Sequence, residues 1–203
     1  MAAEDQLDES VSLSQSGRFE KHLRALLNDA RKETVEEAKA LRSRFLRDVR
    51  DDSPETLLLR GHLYIETEII RLIAQELPNR DAINLAADLN YLQRLKLAVA
   101  LELLNPSEAN TFSRLNTMRN NLTNAPFEVT RQDELNLYGY LDKSLQDVLE
   151  RHMTEPFPNF LKQIVLRLWM KVLTKRTLRG KVRENTEITL EQKADILKML
   201  TRS

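Results

Sequence analysis

The sequence predicts an all-α protein, a bundle of about six to seven helices. Three observations carry that expectation. Only 4 Gly and 6 Pro stand among 203 residues, so few positions break a helix. Aromatic residues make up 5% and β-branched runs are absent, which argues against a sheet. Apolar residues return at steps of three and four along most of the chain, which gathers them onto helical stripes.

The elements follow in order. Residues 1–17 are acidic and polar and end in Ser16-Gly17, as expected of a mobile tail. Residues 18–52 are expected to form a long N-terminal helix, with Phe19, Leu23, Leu26, Leu27, Val35, Leu41, Phe45 and Val49 on one stripe. At 1.5 Å per residue that helix is about 50 Å long, enough to project or to pair with another helix. Residues 53–150 form the expected core. Asp52-Ser53-Pro54-Glu55 is a helix start, a capping side chain followed by proline at the first helical position. A second helix runs from there to Leu77-Pro78. A third is expected from about Leu89 to Leu104, and Asn105-Pro106-Ser107-Glu108 opens a fourth that runs to about Leu122. Asn124-Ala125-Pro126 breaks the chain, and Thr130 starts a fifth helix through about Leu149. Residues 151–203 form a basic helical extension, with a helix from Asn159 to Lys175 and a short one from Leu190 to Leu200 capped by Thr189.

Composition excludes several chemistries. Without cysteine there are no disulfides, thiol nucleophiles or Cys-based zinc sites. Three isolated His and no suitably clustered carboxylates predict no metal centre. No Gly-rich phosphate loop and no Gly-x-Ser-x-Gly element is present, so no cofactor is expected. No stretch of about 18 apolar residues predicts a membrane span. The N-terminus MAAEDQLDESVSLSQSG does not read as a secretory signal, and a cytoplasmic protein is expected.

Three pieces in the middle of the chain stand together. The first is Arg60-Gly61-His62-Leu63-Tyr64-Ile65-Glu66. Glycine in a helix interior costs about 1 kcal/mol, so Gly61 predicts a close helix–helix approach. His62 and Glu66 are one turn apart and share a face. The second is Leu92-Gln93-Arg94-Leu95-Lys96-Leu97-Ala98 with Ala100-Leu101-Glu102-Leu103-Leu104. The third is Leu115-Asn116-Thr117-Met118-Arg119-Asn120, continuing to Asn124. From the residues alone, Arg119 and Asn120 either tie helix ends together or face a cleft, and Glu66 is expected to pair with Arg119 or Arg60.

In this order the pieces resemble the HEPN superfamily of helical domains, over roughly Pro54 to Leu149. The resemblance implies a homodimer. In catalytic members an Arg and a His of the last motif act as a ribonuclease pair across the dimer cleft. Arg119 and Asn120 match that motif, and Asn124 stands where the His belongs. An amide does not exchange a proton near neutral pH, so Asn124 removes the general acid–base member and leaves the anion-binding Arg. A fold-level resemblance to mannitol-operon repressor-type proteins implies that such domains also serve regulation. The expectation is therefore a non-catalytic regulatory or interaction protein. The alternative is a metal-independent ribonuclease of toxin or anti-phage type, using Arg119 and Asn120 with a non-standard base such as His62 or His152, beside Glu66.

The charges balance, 31 basic against 31 acidic, but unevenly. From Phe157 to Arg183 there is no acid. Arg167, Lys171 and Lys175 recur at four-residue steps, followed by Arg176, Arg179 and Lys181. Such a stripe attracts phosphates, so these six residues are the expected nucleic-acid contacts, with a solvated helix face as the plain alternative. A nucleic acid or a protein is the expected partner, beside a second copy of the chain.

Overall fold

The computed structural model describes residues 28, 32, 35, 36, 38–124, 127–185 and 188–202, and within them the protein is an all-α helical bundle. The expected tail 1–17 and most of the first half of the N-terminal helix lie outside the described residues. Helix α1 covers residues 38–48. It is followed by α2 (Pro54–Glu76), α3 (Tyr91–Ala100), α4 (Pro106–Asn124), α5 (Arg131–Gly139), α6 (Lys143–Leu149), α7 (Asn159–Glu184) and α8 (Leu190–Arg202).

The caps behave as the sequence predicts. The Ser53 hydroxyl accepts from Thr56 N–H at 3.3 Å with Pro54 in the first turn. Asn105 and Glu108 exchange reciprocal bonds of 2.9 Å each at the start of α4. Thr130 with Asp133 and Thr189 with Gln192 repeat the device. A capping side chain contributes about 1 kcal/mol and, more to the point, fixes which residues face inward.

α2 and α7 are the most extensively packed pair. α2 buries Leu57, Leu58, Gly61, Ile65, Ile69, Leu72 and Ile73, and α7 buries Phe160, Leu161, Ile164, Val165, Leu168, Trp169, Val172 and Leu173. Gly61 supplies the close approach that its position predicts: a Cβ there would overlap the Val165 Cγ1 methyl. α3 and α4 lie against α2 and each other, α5 and α6 against α7, and α8 against the far half of α7. One apolar core joins α1 through Phe45 to α7 through Trp169, whose rings stack 5.3 Å apart. α7 is therefore central to the bundle, not a flanking extension. A small second cluster of Val182, Ile188 and Ile196 lies beneath α8.

Three boundaries differ from the sequence reading. α3 ends at Ala100, where Glu102 adopts a left-handed conformation with φ of 54° and turns the chain towards α4. The expected fifth helix is two helices, because the Asp142 carboxylate caps a new start by accepting from Leu145 N–H at 3.0 Å. α7 continues past Lys175 to Glu184, because Leu178, Arg179 and Val182 are buried along its last turns.

The Gly61 contact gives a direct test. Gly61→Ala should destabilise the protein by about 1–3 kcal/mol, despite the better helix propensity of Ala, because the added methyl overpacks Val165. Denaturant unfolding should show part of that loss restored in Gly61→Ala/Val165→Ala.

A candidate anion cleft around Arg119

Three helices position the candidate site. α2 contributes His62 and Glu66, α3 contributes Tyr91 and Arg94, and α4 contributes Asn116, Arg119 and Asn120, all lining one cleft of about 500 Å³. The start of α3 is fixed by a reciprocal cap, with Asn90 Oδ1 accepting from Gln93 N–H at 3.0 Å and Gln93 Oε1 accepting from Asn90 N–H at 2.8 Å. That start turns Tyr91 and Arg94, one turn apart, inward towards α2. On α4 the spacing of three and four places Arg119 and Asn120 on the same side as Asn116.

His62 is a buried, bonded histidine. Its Nε2 and the Asn116 side-chain oxygen are joined by a 3.1 Å hydrogen bond, and its ring lies 4.5 Å from that of Tyr91. Its Nδ1 stands 3.6 Å from Glu66 Oε2. Burial, then the positive charges of Arg119 and Arg94, pull its pKa down to about 4, against the opposing effect of the Asn116 bond. At pH 7 the ring is neutral in all but about one molecule in a thousand. A group of that pKa, engaged on one side and buried, is poorly suited to general acid–base work near neutrality.

Glu66 does not pair with Arg119 or Arg60. Its partner is Arg94, whose guanidinium also donates to the carbonyl oxygens of Leu85 at 3.1 Å and Ala86 at 3.4 Å. Arg60 instead reaches Asp48 O at 2.6 Å and Asp52 Oδ2 at 3.4 Å. Arg94, Tyr91 and Asn116 were absent from the sequence-derived site. The available signal was that Arg94 occurs in the same face as Tyr91, Leu95 and Ala98, a charge placed among inward positions.

Arg119 carries the cleft's free positive charge. It donates to Asn120 Oδ1 at 3.0 Å, and among the described residues no carboxylate forms an ion pair with it. Two further donors are buried without a hydrogen-bond partner among the described residues, the Tyr91 hydroxyl and Arg94 Nε. Burial and the Glu66 charge push the Tyr91 phenol upward, so it stays protonated and keeps its proton to donate. This arrangement can hold an anion or a hydrogen-bond acceptor, and it lacks a side chain that exchanges protons at neutral pH. Asn124 is the last residue of α4. His152 does not line this cleft. It pairs with Glu155 at 2.6 Å beyond α6. Among the described residues no group of three or more His, Asp or Glu is placed to hold a metal ion.

The cations expected to face nucleic acid are mostly met from within. Lys171 pairs with Asp142 at 2.7 Å and Glu108 at 2.9 Å, and Lys175 pairs with Glu108 at 2.8 Å. Arg176 pairs with Glu68 at 2.7 Å, and Arg179 with Glu76 at 3.1 Å. Lys181 is half-buried. The acid-free run of α7 thus finds its counter-ions on α2, α4 and the turn before α6. Arg167 differs. Its half-buried guanidinium is held below the usual arginine range by burial and then by the like charges of Arg151 and Arg42, and its Nε has no hydrogen-bond partner among the described residues.

Two measurements follow from these pairings. The unfolded His62 takes up a proton as pH falls below about 6.5, while the folded one resists until about 4, so stability is full above that window and is lost through it on acidification. The wild type should lose up to about 3 kcal/mol in this way, and His62→Gln should flatten the pH 6.5–4.5 part of the curve. For the ion pairs, Lys175→Met should cost about 2–4 kcal/mol by leaving Glu108 less compensated in the interior, and Lys175→Met/Glu108→Leu should recover part of it in urea unfolding, the rest being the lost α4 cap and Lys171 contact.

No protein-family model matches the chain, and no curated protein or solved structure matches it.

Proposed function

We propose that the chain is a non-catalytic, HEPN-like regulatory or interaction protein that works as a homodimer, with the Arg119 cleft as its ligand-facing site. The observation that carries this reading is the pairing of a free Arg119 with a His62 that is buried, bonded to Asn116 and depressed to about 4. The cleft keeps the cation that receives an anion and has no neutral-range proton carrier beside it. Asn124, where the resemblance calls for His, agrees with that reading.

A ribonuclease that uses Arg119 with His62 as a substitute base is the competing reading. It requires His62 to leave the Asn116 bond and to gain a proton at a pH well above its own range. For the nucleic-acid part of the sequence reading, support lies with Arg167 and its neighbours Arg42 and Arg151, since Lys171, Lys175, Arg176 and Arg179 are occupied by carboxylates.

Metal-free incubation with single-stranded and structured RNA should give no cleavage above background between pH 6 and 8, while light scattering on the same sample gives a dimer mass. Cleavage that disappears in Arg119→Ala would sink the non-catalytic reading, and a monomer mass would sink the dimer.

A further inference from the structure

A second feature lies on a neighbouring face of α2. Residues 62 and 66 of α2 face the Arg119 cleft, and residues 63 and 67, about 100° further round the helix, face a groove between α1, α2 and α7. Its volume is about 440 Å³.

The groove combines three properties. Its apolar wall is open to solvent at Leu63, which is 62% exposed, and Leu59, one turn earlier on α2 and outside the groove's lining, is 40% exposed. Isolated exposed leucines are ordinary, but two at one-turn spacing beside a concave surface form a landing strip for an apolar helix face. Trp169 also lines it, its ring wedged between Phe45 and Tyr64, and its buried indole N–H has no hydrogen-bond partner among the described residues.

The third property is charge. Arg44, Arg71 and Arg176 line the groove, and among its described lining residues the one carboxylate is Glu68. Glu68 is shared, at 2.8 Å from Arg71 and 2.7 Å from Arg176. Arg44 is loosely associated with Asp48 at 3.9 Å and its side chain is 69% exposed. With Asp48, which also accepts from the Tyr64 hydroxyl at 2.5 Å, counted beside Glu68, three cations stand against two carboxylates, a surplus of one positive charge beside the exposed leucines. A nucleic acid would use the charge and leave the leucines wet, and a neutral apolar helix would bury the leucines and leave the arginines unmet.

We propose that this groove docks an acidic amphipathic segment of a partner protein. The segment's apolar side chains cover Leu59 and Leu63, and its carboxylates meet Arg44 and Arg71. The groove is separate from the Arg119 cleft, so this inference stands or falls independently of the function proposed for that cleft.

Trp169 is the one tryptophan of the chain, so its emission reports on the groove itself. The experiment titrates the full chain with a synthetic helical peptide of Leu, Ala and Glu, and in parallel with the same peptide carrying Lys in place of Glu. The acidic peptide should give a saturable change in emission and the Lys peptide none. Affinity for the acidic peptide should fall by about tenfold or more in both Leu63→Asp and Arg44→Glu, with thermal unfolding unchanged because both side chains are exposed. Added salt should weaken binding further. The proposal is overturned by any of four results: no saturable change with the acidic peptide, equal binding of the Lys peptide, affinity unaltered in both variants, or self-association that Leu63→Asp abolishes and the peptide does not compete with. The last would assign the groove to a second copy of the chain.

Discussion

The close approach of α2 to α7 at Gly61 is the constraint on which the rest of the bundle depends. With no side chain on Gly61, Val165 sits where a Cβ would be, and the two apolar stripes interlock along their length. This contact fixes the rotation of α2 about its own axis. One face then points to α7, the next presents His62 and Glu66 to α3 and α4, and the next presents Leu63 and Thr67 to the groove beside Trp169. A few degrees of rotation at Gly61 would move all of these faces together, so the core packing and the shape of both clefts are linked through one residue.

Once α2 and α7 are that close, their charges must be settled between them. From Asn159 to Arg183 the α7 cations have no acid on their own helix to pair with, and the carboxylates Glu68, Glu76 and Glu108 on the facing helices would each be costly to bury alone. Paired, they form a row of cross-helix bridges running beside the apolar core. Such pairs add little net stability over apolar residues of the same shape, but a mismatch along the row would strand a buried charge. The row therefore sets the register of α7 on α2 and α4. A further buried carboxylate, Glu134, plays a similar part at the other end, accepting from the Leu161 N–H in the first turn of α7, where Pro158 offers no capping side chain.

The fold class and the caps were legible in the sequence because they are local. Ser53, Asn105, Thr130 and Thr189 each carry the side chain and the spacing that start a helix. Gly61 stands out because a glycine inside an amphipathic helix weakens it unless a neighbouring helix comes close enough to use the space. The break at Asp142 was hidden by apolar residues that continue at helical spacing on both sides of it. The surroundings of α7 are hidden in the sequence for a different reason. A cationic stripe looks alike in sequence whether its counter-ions are water and phosphate or carboxylates from helices many residues away, and only the packing decides between them. The same holds at the cleft: Arg119 and His62 were visible, while the buried Arg94, Tyr91 and Asn116, which set the state of His62 and Glu66, emerge from the arrangement of three helices.

What distinguishes the cleft is a cation, Arg119, that no carboxylate pairs with among the described residues, beside a histidine held neutral near neutral pH. His62 is the residue on which that statement turns, because it is the one imidazole lining the cleft among the described residues. A two-dimensional NMR titration of the imidazole resonances, assigned by comparison with His62→Gln, measures its protonation directly. The account predicts that His62 titrates with a midpoint near 4 and is neutral throughout the physiological range. A midpoint between about 6 and 7 would contradict it, because the cleft would then hold a working acid–base group beside Arg119.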